Sequence, residues 1–232
     1  MPELLYIHGS GYTEESFKAQ TEAFAGSDAV TLPGHPGGQA FATVEEASAW
    51  FARYVEWRHA GRAVAVGNSL GGAIALRWAL DFPDQAAALV LVGTGARLRV
   101  APDIFEMIER QWPDCIAKLV DLALSPDAQP ALRERMRAWH LSVGQESTRR
   151  DYGACNRFDV MGELQGLKVP TLVIVGSLDR LTPVKYARYL HEHIAGSQLS
   201  VIEGAGHVAM AERPREVNAS IASFLETVHG DP

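Results

Sequence analysis

An α/β fold is predicted: a mainly parallel sheet of about six strands, helices on both faces, and a helical cap. Three observations in the sequence lead there. Short, continuously apolar runs alternate with amphipathic helix patterns, as in a parallel sheet covered on both sides. One strand-to-helix turn carries Gly67-Asn68-Ser69-Leu70-Gly71-Gly72, a G-x-S-x-G pattern. Residues 97–165 then break the alternation with helix patterns alone.

The elements follow in order. Leu4-Leu5-Tyr6-Ile7 is a short buried strand running into His8-Gly9-Ser10-Gly11. Thr13 is placed to open a helix through Phe24, with Glu14 and Glu15 in its first turn. Ala29-Val30-Thr31-Leu32 is the second strand. The Pro- and Gly-rich stretch from Pro33 to Gly38 after it excludes either regular element. Thr43-Val44-Glu45-Glu46 reads as a capping box opening a helix to about His59, with one face apolar at positions 47, 50, 51, 54 and 55. The strand Ala63-Val64-Ala65-Val66 leads into the serine turn and a helix to Leu80, which Pro83 ends. Ala88-Leu89-Val90-Leu91-Val92 is a further strand.

Four helices are expected next, at roughly 102–112, 114–124, 129–143 and 146–155. The strand and helix rhythm resumes at 169–175, with Thr182-Pro183 opening a helix to about Ile194. The last strand is 199–202 and the last helix 214–228. Residues 1–96 and 166–232 therefore form one core, and residues 97–165 a helical insertion across its carboxyl edge.

Composition narrows the function classes. The chain has 232 residues, 47% hydrophobic and 21% charged, within the range of one globular core. A formal net charge of −7 and the lack of a basic stripe argue against a nucleic-acid surface. Arg133-Arg135-Arg137 and Arg149-Arg150, with Glu134 and Glu146 nearby, read as a solvated helix face. Two cysteines, Cys115 and Cys155, make neither a disulfide framework nor a metal site, and fit a reducing compartment. No signal-peptide pattern precedes Leu4 and no apolar run approaches a membrane span, so a cytoplasmic location is expected. Neither G-x-G-x-x-G after the first strand nor a phosphate loop is present, and no cofactor or metal is called for. His191-Glu192-His193 lie on adjacent helix positions that point different ways and suit a solvated face.

Ligands of an open parallel sheet bind beyond the carboxyl ends of its strands. Ser69, Asp179, His207 and the His8-Gly9-Ser10-Gly11 turn all follow strands. Their chemistries are complementary. A serine hydroxyl needs a base, and His207 supplies one that titrates near neutrality. Asp179 suits the task of fixing the imidazole tautomer; the stretch from Gly93 to Val100 contains no competing carboxylate. Its alternative reading is a helix-capping carboxylate before Thr182, and that of His207 a loop histidine bonded to backbone. The N–H groups of Ser10 and Leu70 are the candidate oxyanion donors. Gly9, Tyr12, Trp112 and Trp139 are candidate pocket residues. Phe105, Met107 and Met136 add apolar surface that serves either substrate or the insertion's own core. His8 and His35 read as structural.

These motifs resemble the α/β-hydrolase superfamily, in its compact, capped serine-hydrolase branch. The resemblance rests on His8-Gly9-Ser10-Gly11, Leu32-Pro33-Gly34-His35, the stretch Gly67 to Gly72, Gly176 to Pro183, and Ala205-Gly206-His207 through Glu212-Arg213-Pro214. The order Ser, Asp, His along the chain matches it. It implies a fold lacking the family's first two strands, and a serine nucleophile in place of the aspartate of dehalogenases and epoxide hydrolases. Asn68 stands where the family often has histidine. The implied activity is cleavage of a carboxylic ester through an acyl-enzyme on Ser69, as in a carboxylesterase, with a small-molecule ester or lactone as partner. Two alternatives are an enol-lactonase or carbon–carbon bond hydrolase of aromatic degradation, and a non-catalytic ligand-binding module on the same fold. An acidic substrate would favour an arginine such as Arg97 or Arg157 in the pocket.

Overall fold

In the computed structural model, which describes residues 3–58 and 61–229, six strands form one parallel sheet. They are β1 (Leu4–Ile7), β2 (Asp28–Val30), β3 (Ala63–Asn68), β4 (Ala86–Val92), β5 (Thr171–Gly176) and β6 (Gln198–Ile202), in spatial order β2-β1-β3-β4-β5-β6. The helices are α1 (Lys18–Ala23), α2 (Val44–Arg58), α3 (Leu70–Asp81), α4 (Pro102–Arg110), α5 (Cys115–Ala123), α6 (Pro130–Val143), α7 (Gln145–Arg157), α8 (Val184–His193), α9 (Ala209–Glu212) and α10 (Pro214–His229).

The continuous apolar strands sort by alternation onto two faces. Leu5, Ile7, Ala65, Leu89, Leu91, Val173 and Val175 pack with α2, α3 and α8. Leu4, Tyr6, Val64, Val66, Val90, Val92, Leu172 and Ile174 pack with α10 and with Ile116, Val120 and Met136 of the helical insertion. Helices α4 to α7 lie between β4 and β5 with no strand among them, and α4 and α5 share a small core of Ile104, Met107, Ile108, Cys115 and Leu119. No helix is long and apolar enough to cross a membrane among the described residues.

Several boundaries differ from the sequence expectation for physical reasons. The second strand ends at Val30, because the Leu32 N–H turns to His8 Nε2 at 3.3 Å. The helix expected from Thr13 is a 3-10 turn over Glu14–Phe17 followed by α1, and Thr13 provides no side-chain cap. The capping box closes one residue early: Glu46 N–H donates to Thr43 Oγ1 at 3.2 Å, and Glu46 Oε2 accepts from Ala42 N–H at 2.9 Å. His59, its expected end, lies outside the described residues. The fifth strand begins at Thr171, since Pro170 has no N–H; its carbonyl still accepts from Leu89 at 2.9 Å. Pro183 caps α8 from outside rather than opening it.

The strand order reverses at β1. From β1 the chain crosses to β2 on one side, then returns to β3 on the other, so the loops after β1 and β3 leave the sheet side by side. At this point α3 approaches the sheet so closely that a Cβ on Gly71 would press on the Ile7 and His8 carbonyl groups. Backbone cannot yield as a side-chain tip can. Gly71→Ala is therefore expected to cost about 1–3 kcal/mol or more, read as a lowered urea midpoint with an unchanged slope.

Candidate active site

The turn after β3 gives Ser69 φ 54 and ψ −115, and it is the one non-glycine residue with positive φ among the described residues. Such a conformation costs of order 1–3 kcal/mol and persists only where the surroundings enforce it. Here Ser69 N–H donates to Val92 O at 3.0 Å, and Ser69 O accepts from Thr94 Oγ1 at 2.8 Å. Among the described residues Ser69 Oγ makes no hydrogen bond, and the residue borders a cavity of roughly 350 Å³. Leu70 opens α3, so its N–H has no carbonyl one turn behind it. Gly9 lies against Asn68 and Ser69: a Cβ there would stand 3.3 Å from Ser69 Cβ.

His207 lines the same cavity. Its Nδ1 is 2.9 Å from Asp179 Oδ2, and both side chains are buried. Thr182 Oγ1 donates to the same carboxylate oxygen at 2.8 Å and lies 3.2 Å from His207 Nδ1. Asp179 Oδ1 accepts the N–H groups of Leu181 at 2.9 Å and Thr182 at 2.8 Å. Burial opposes ionisation of Asp179, but the charge and hydrogen bond of His207 and the two bonds from Thr182 outweigh it and lower its pKa. Asp179 thus holds the turn before α8 on one oxygen and meets His207 on the other, and α8 itself has no side-chain cap.

Other groups fix the His207 loop. Its N–H donates to Ala123 O at 2.7 Å, at the end of α5. Asn68 Nδ2 donates to Val92 O at 3.1 Å and to His207 O at 3.2 Å. Glu212 accepts from Gly206 N–H at 2.9 Å and from Ser125 N–H at 3.0 Å. Asn68, Thr182 and Glu212 are contributors that the sequence did not assign to this network. Each stands in a motif already singled out, which was the available signal.

The remaining candidates divide. Ser10 and Tyr12 line the cavity with Leu98, Ile104, Leu122, Tyr152 and Leu181. Trp112 and Trp139, expected in the pocket, do not line it. Trp139 bonds Glu15 Oε2 at 3.1 Å and backs Tyr12 edge-on at 6.0 Å, while Trp112 packs between the insertion and the core. Met107 and Met136 are core residues, and Phe105 borders a separate cleft. Arg97 pairs with Asp159 at 3.2 Å and Arg157 with the Ala42 carbonyl, so neither faces this cavity, whereas Arg99 and Arg180 do. The arginine face is solvated at Arg137 and Arg149 but not at Arg150, which donates to Ala40 O at 2.8 Å. Cys155 touches Ser10 Oγ at 3.5 Å, and burial pushes its thiol up to about 12, far from a thiolate. No group of three or more metal-ligating side chains occurs among the described residues.

Fold and site geometry together define a class. The sequence profile of the alpha/beta hydrolase family matches residues 4–220, and the chain belongs to that family. It is 30% identical to a pimeloyl-[acyl-carrier protein] methyl ester esterase of Neisseria meningitidis serogroup C, over 96% of this chain and 93% of that one. It is 25% identical to 3-oxoadipate enol-lactonase 2 of Acinetobacter baylyi, over 71% of this chain and 64% of the relative. A solved thermophilic esterase is 36% identical and superposes with a TM-score of 0.87, covering 97% of this chain and 90% of its own. A carboxylesterase-like hydrolase is the class to which these relatives and the fold assign the chain.

One buried histidine beside the site carries a pH signature. His140 of α6 packs edge-on to Tyr12 at 5.5 Å, and burial lowers its pKa to about 4. Unfolded histidine titrates near 6.5, so the unfolded chain binds the extra proton first as pH falls, and this contribution to stability is lost below about 6.5. Between pH 7 and pH 5 that loss is about 2 kcal/mol. His140→Phe is expected to flatten the decline in urea stability over this interval by about that amount; an unchanged slope would refute the assignment.

Proposed function

We propose that the protein hydrolyses a carboxylic ester through an acyl-enzyme on Ser69, with His207 as base and Asp179 as its orienting acid. The observation that carries this reading is a strained serine and a carboxylate-bound histidine on one cavity. Ser69 Oγ attacks the carbonyl carbon and its proton passes to His207 Nε2. The oxyanion is met by the N–H groups of Leu70 and Ser10. The carbon–oxygen bond to the alcohol breaks, and His207 returns the proton to the leaving oxygen. Water activated by His207 then releases the acid and restores Ser69.

Residues 97–165 act as a cap on the core of 1–96 and 166–232, and supply Leu98, Ile104, Leu122 and Tyr152 to the cavity. Those walls suit an apolar acyl or alcohol part. At roughly 350 Å³ the cavity is at the low end for ligand pockets, which favours a small ester. Both cysteines are free and buried, in keeping with a cytoplasmic enzyme. The enol-lactonase reading draws on the relative of that name and on the exposed Arg99 at the cavity, where a substrate carboxylate would sit.

A series of p-nitrophenyl esters and one enol-lactone, with wild type and Ser69→Ala, tests this. Acetate and butyrate esters are expected to turn over, long acyl chains to turn over poorly, and Ser69→Ala to lose at least ~10⁴-fold in kcat. Fast lactone turnover with negligible ester turnover would favour the lactonase. Absence of turnover in wild type on every substrate would favour a binding module.

A further inference from the structure

The oxyanion turn of Gly9, Ser10 and Gly11 is free to move by composition, since glycine on both sides of Ser10 leaves its peptide planes unrestrained. Its function requires the opposite, because an oxyanion donor contributes fully only when its direction is fixed before reaction. Inside the turn, Tyr12 N–H donates to Gly9 O at 3.3 Å. The stronger restraint comes from the cap. Asp151 of α7, 140 residues away in sequence, accepts the Gly11 N–H on Oδ2 at 2.9 Å. That bond pins the Ser10–Gly11 peptide in the left-handed turn, with Gly11 at φ 70. On the other side the His140 ring fills the space a Gly11 side chain would need. Two cap helices thus grip one peptide.

A buried carboxylate needs a counter-charge, and His35 supplies it. His35 Nε2 lies 2.8 Å from Asp151 Oδ2, and its Nδ1 lies 3.2 Å from Pro33 O. Both neighbours are acceptors only, so both bonds form only when both ring nitrogens carry protons. His35 is therefore an imidazolium in this arrangement. Its pKa is raised accordingly: burial opposes the charge, and Asp151 outweighs it. His8, 4.7 Å away ring to ring, stays neutral, its Nε2 accepting from Leu32 and its pKa lowered to about 3 by burial and by His35. Asp151 and His35 are buried, and neither borders the cavity that Ser69 and His207 line.

We propose that Asp151 is a positioning residue for the oxyanion turn: charged against His35, it ties the cap to the Gly11 N–H and so sets the direction of the neighbouring Ser10 N–H. This rests on the acyl-enzyme reading, in which Ser10 is a donor. It gives the cap a part in the chemical step besides shaping the pocket. The arrangement also makes a cap–core ion pair, so a purely structural role has to be separated from positioning.

The test compares wild type, Asp151→Asn, His35→Gln and the double variant on p-nitrophenyl butyrate. Affinity for phenylboronic acid, whose serine adduct places an oxygen where the oxyanion forms, is measured alongside, with melting temperature as the control for folding. Asp151→Asn is expected to lose about tenfold or more in kcat with KM within about threefold. Boronate affinity should fall in proportion to kcat/KM, and the double variant should be no slower than Asp151→Asn. A folded Asp151→Asn with kcat within about twofold of wild type, or with slower turnover but unchanged boronate affinity, would overturn the proposal. Should Asp151→Asn not fold at the assay temperature, His35→Gln carries the test: a smaller loss in kcat with parallel loss of boronate affinity supports positioning, and wild-type values on both overturn it. Equal activity of wild type and Ser69→Ala would instead sink the acyl-enzyme reading itself.

Discussion

Where α3 leaves β3, its backbone lies directly on the carbonyl groups at the end of β1. Only glycine at 67 and 71 permits that distance. The consequence is mechanical. The chain has to turn within one residue, and Ser69 takes the strained conformation that lifts its hydroxyl out of the hydrogen-bonded ladder. Because β1 and β3 are neighbours at the point where strand order reverses, the Gly9–Gly11 turn emerges beside that hydroxyl. The serine and the turn that would hold the oxyanion are thus products of one close contact and one topological fact.

The histidine and its carboxylate come from the far half of the sheet, and polar satisfaction holds them. Every oxygen of Asp179 is engaged, Asn68 reaches from the serine turn to the His207 carbonyl, and Glu212 closes the loop before His207. The helical insertion takes part through the Ala123 carbonyl. With Asp151 and His140 on the Gly11 side, the insertion touches both arms of the site. Its helices therefore contact the turns that carry Ser10 and His207 as well as lining the cavity.

The four central strands were legible because they are buried on both faces and read as apolar runs, whereas the edge strands β2 and β6 are partly exposed and mixed in sequence. Ser69, Asp179 and His207 were legible as candidates because each follows a strand at the same edge of the sheet. Boundaries went astray where a side chain took a backbone group, as His8 does with Leu32, or where proline lacked an N–H. The pocket was the least legible part. Trp112, Trp139, Met107 and Met136 carry the apolar surface a pocket wants, but the four helices must first bury one another and cover one face of the sheet, and these residues are spent there. The residues that face the cavity, such as Ile104 and Tyr152, are not distinguishable by type or spacing from their neighbours. Asp151 was hidden for another reason: its partners, Gly11 and His35, lie over a hundred residues away in sequence.

The central claim is that a covalent acyl-enzyme forms on Ser69. Rapid acid quench of the protein with p-nitrophenyl butyrate, followed by intact-mass and peptide mass spectrometry, measures it directly. One butyryl group on the peptide containing Ser69, absent from Ser69→Ala, is the result expected. An adduct on Ser10 or Cys155, or ester turnover at full rate with no adduct at any time after mixing, would contradict it.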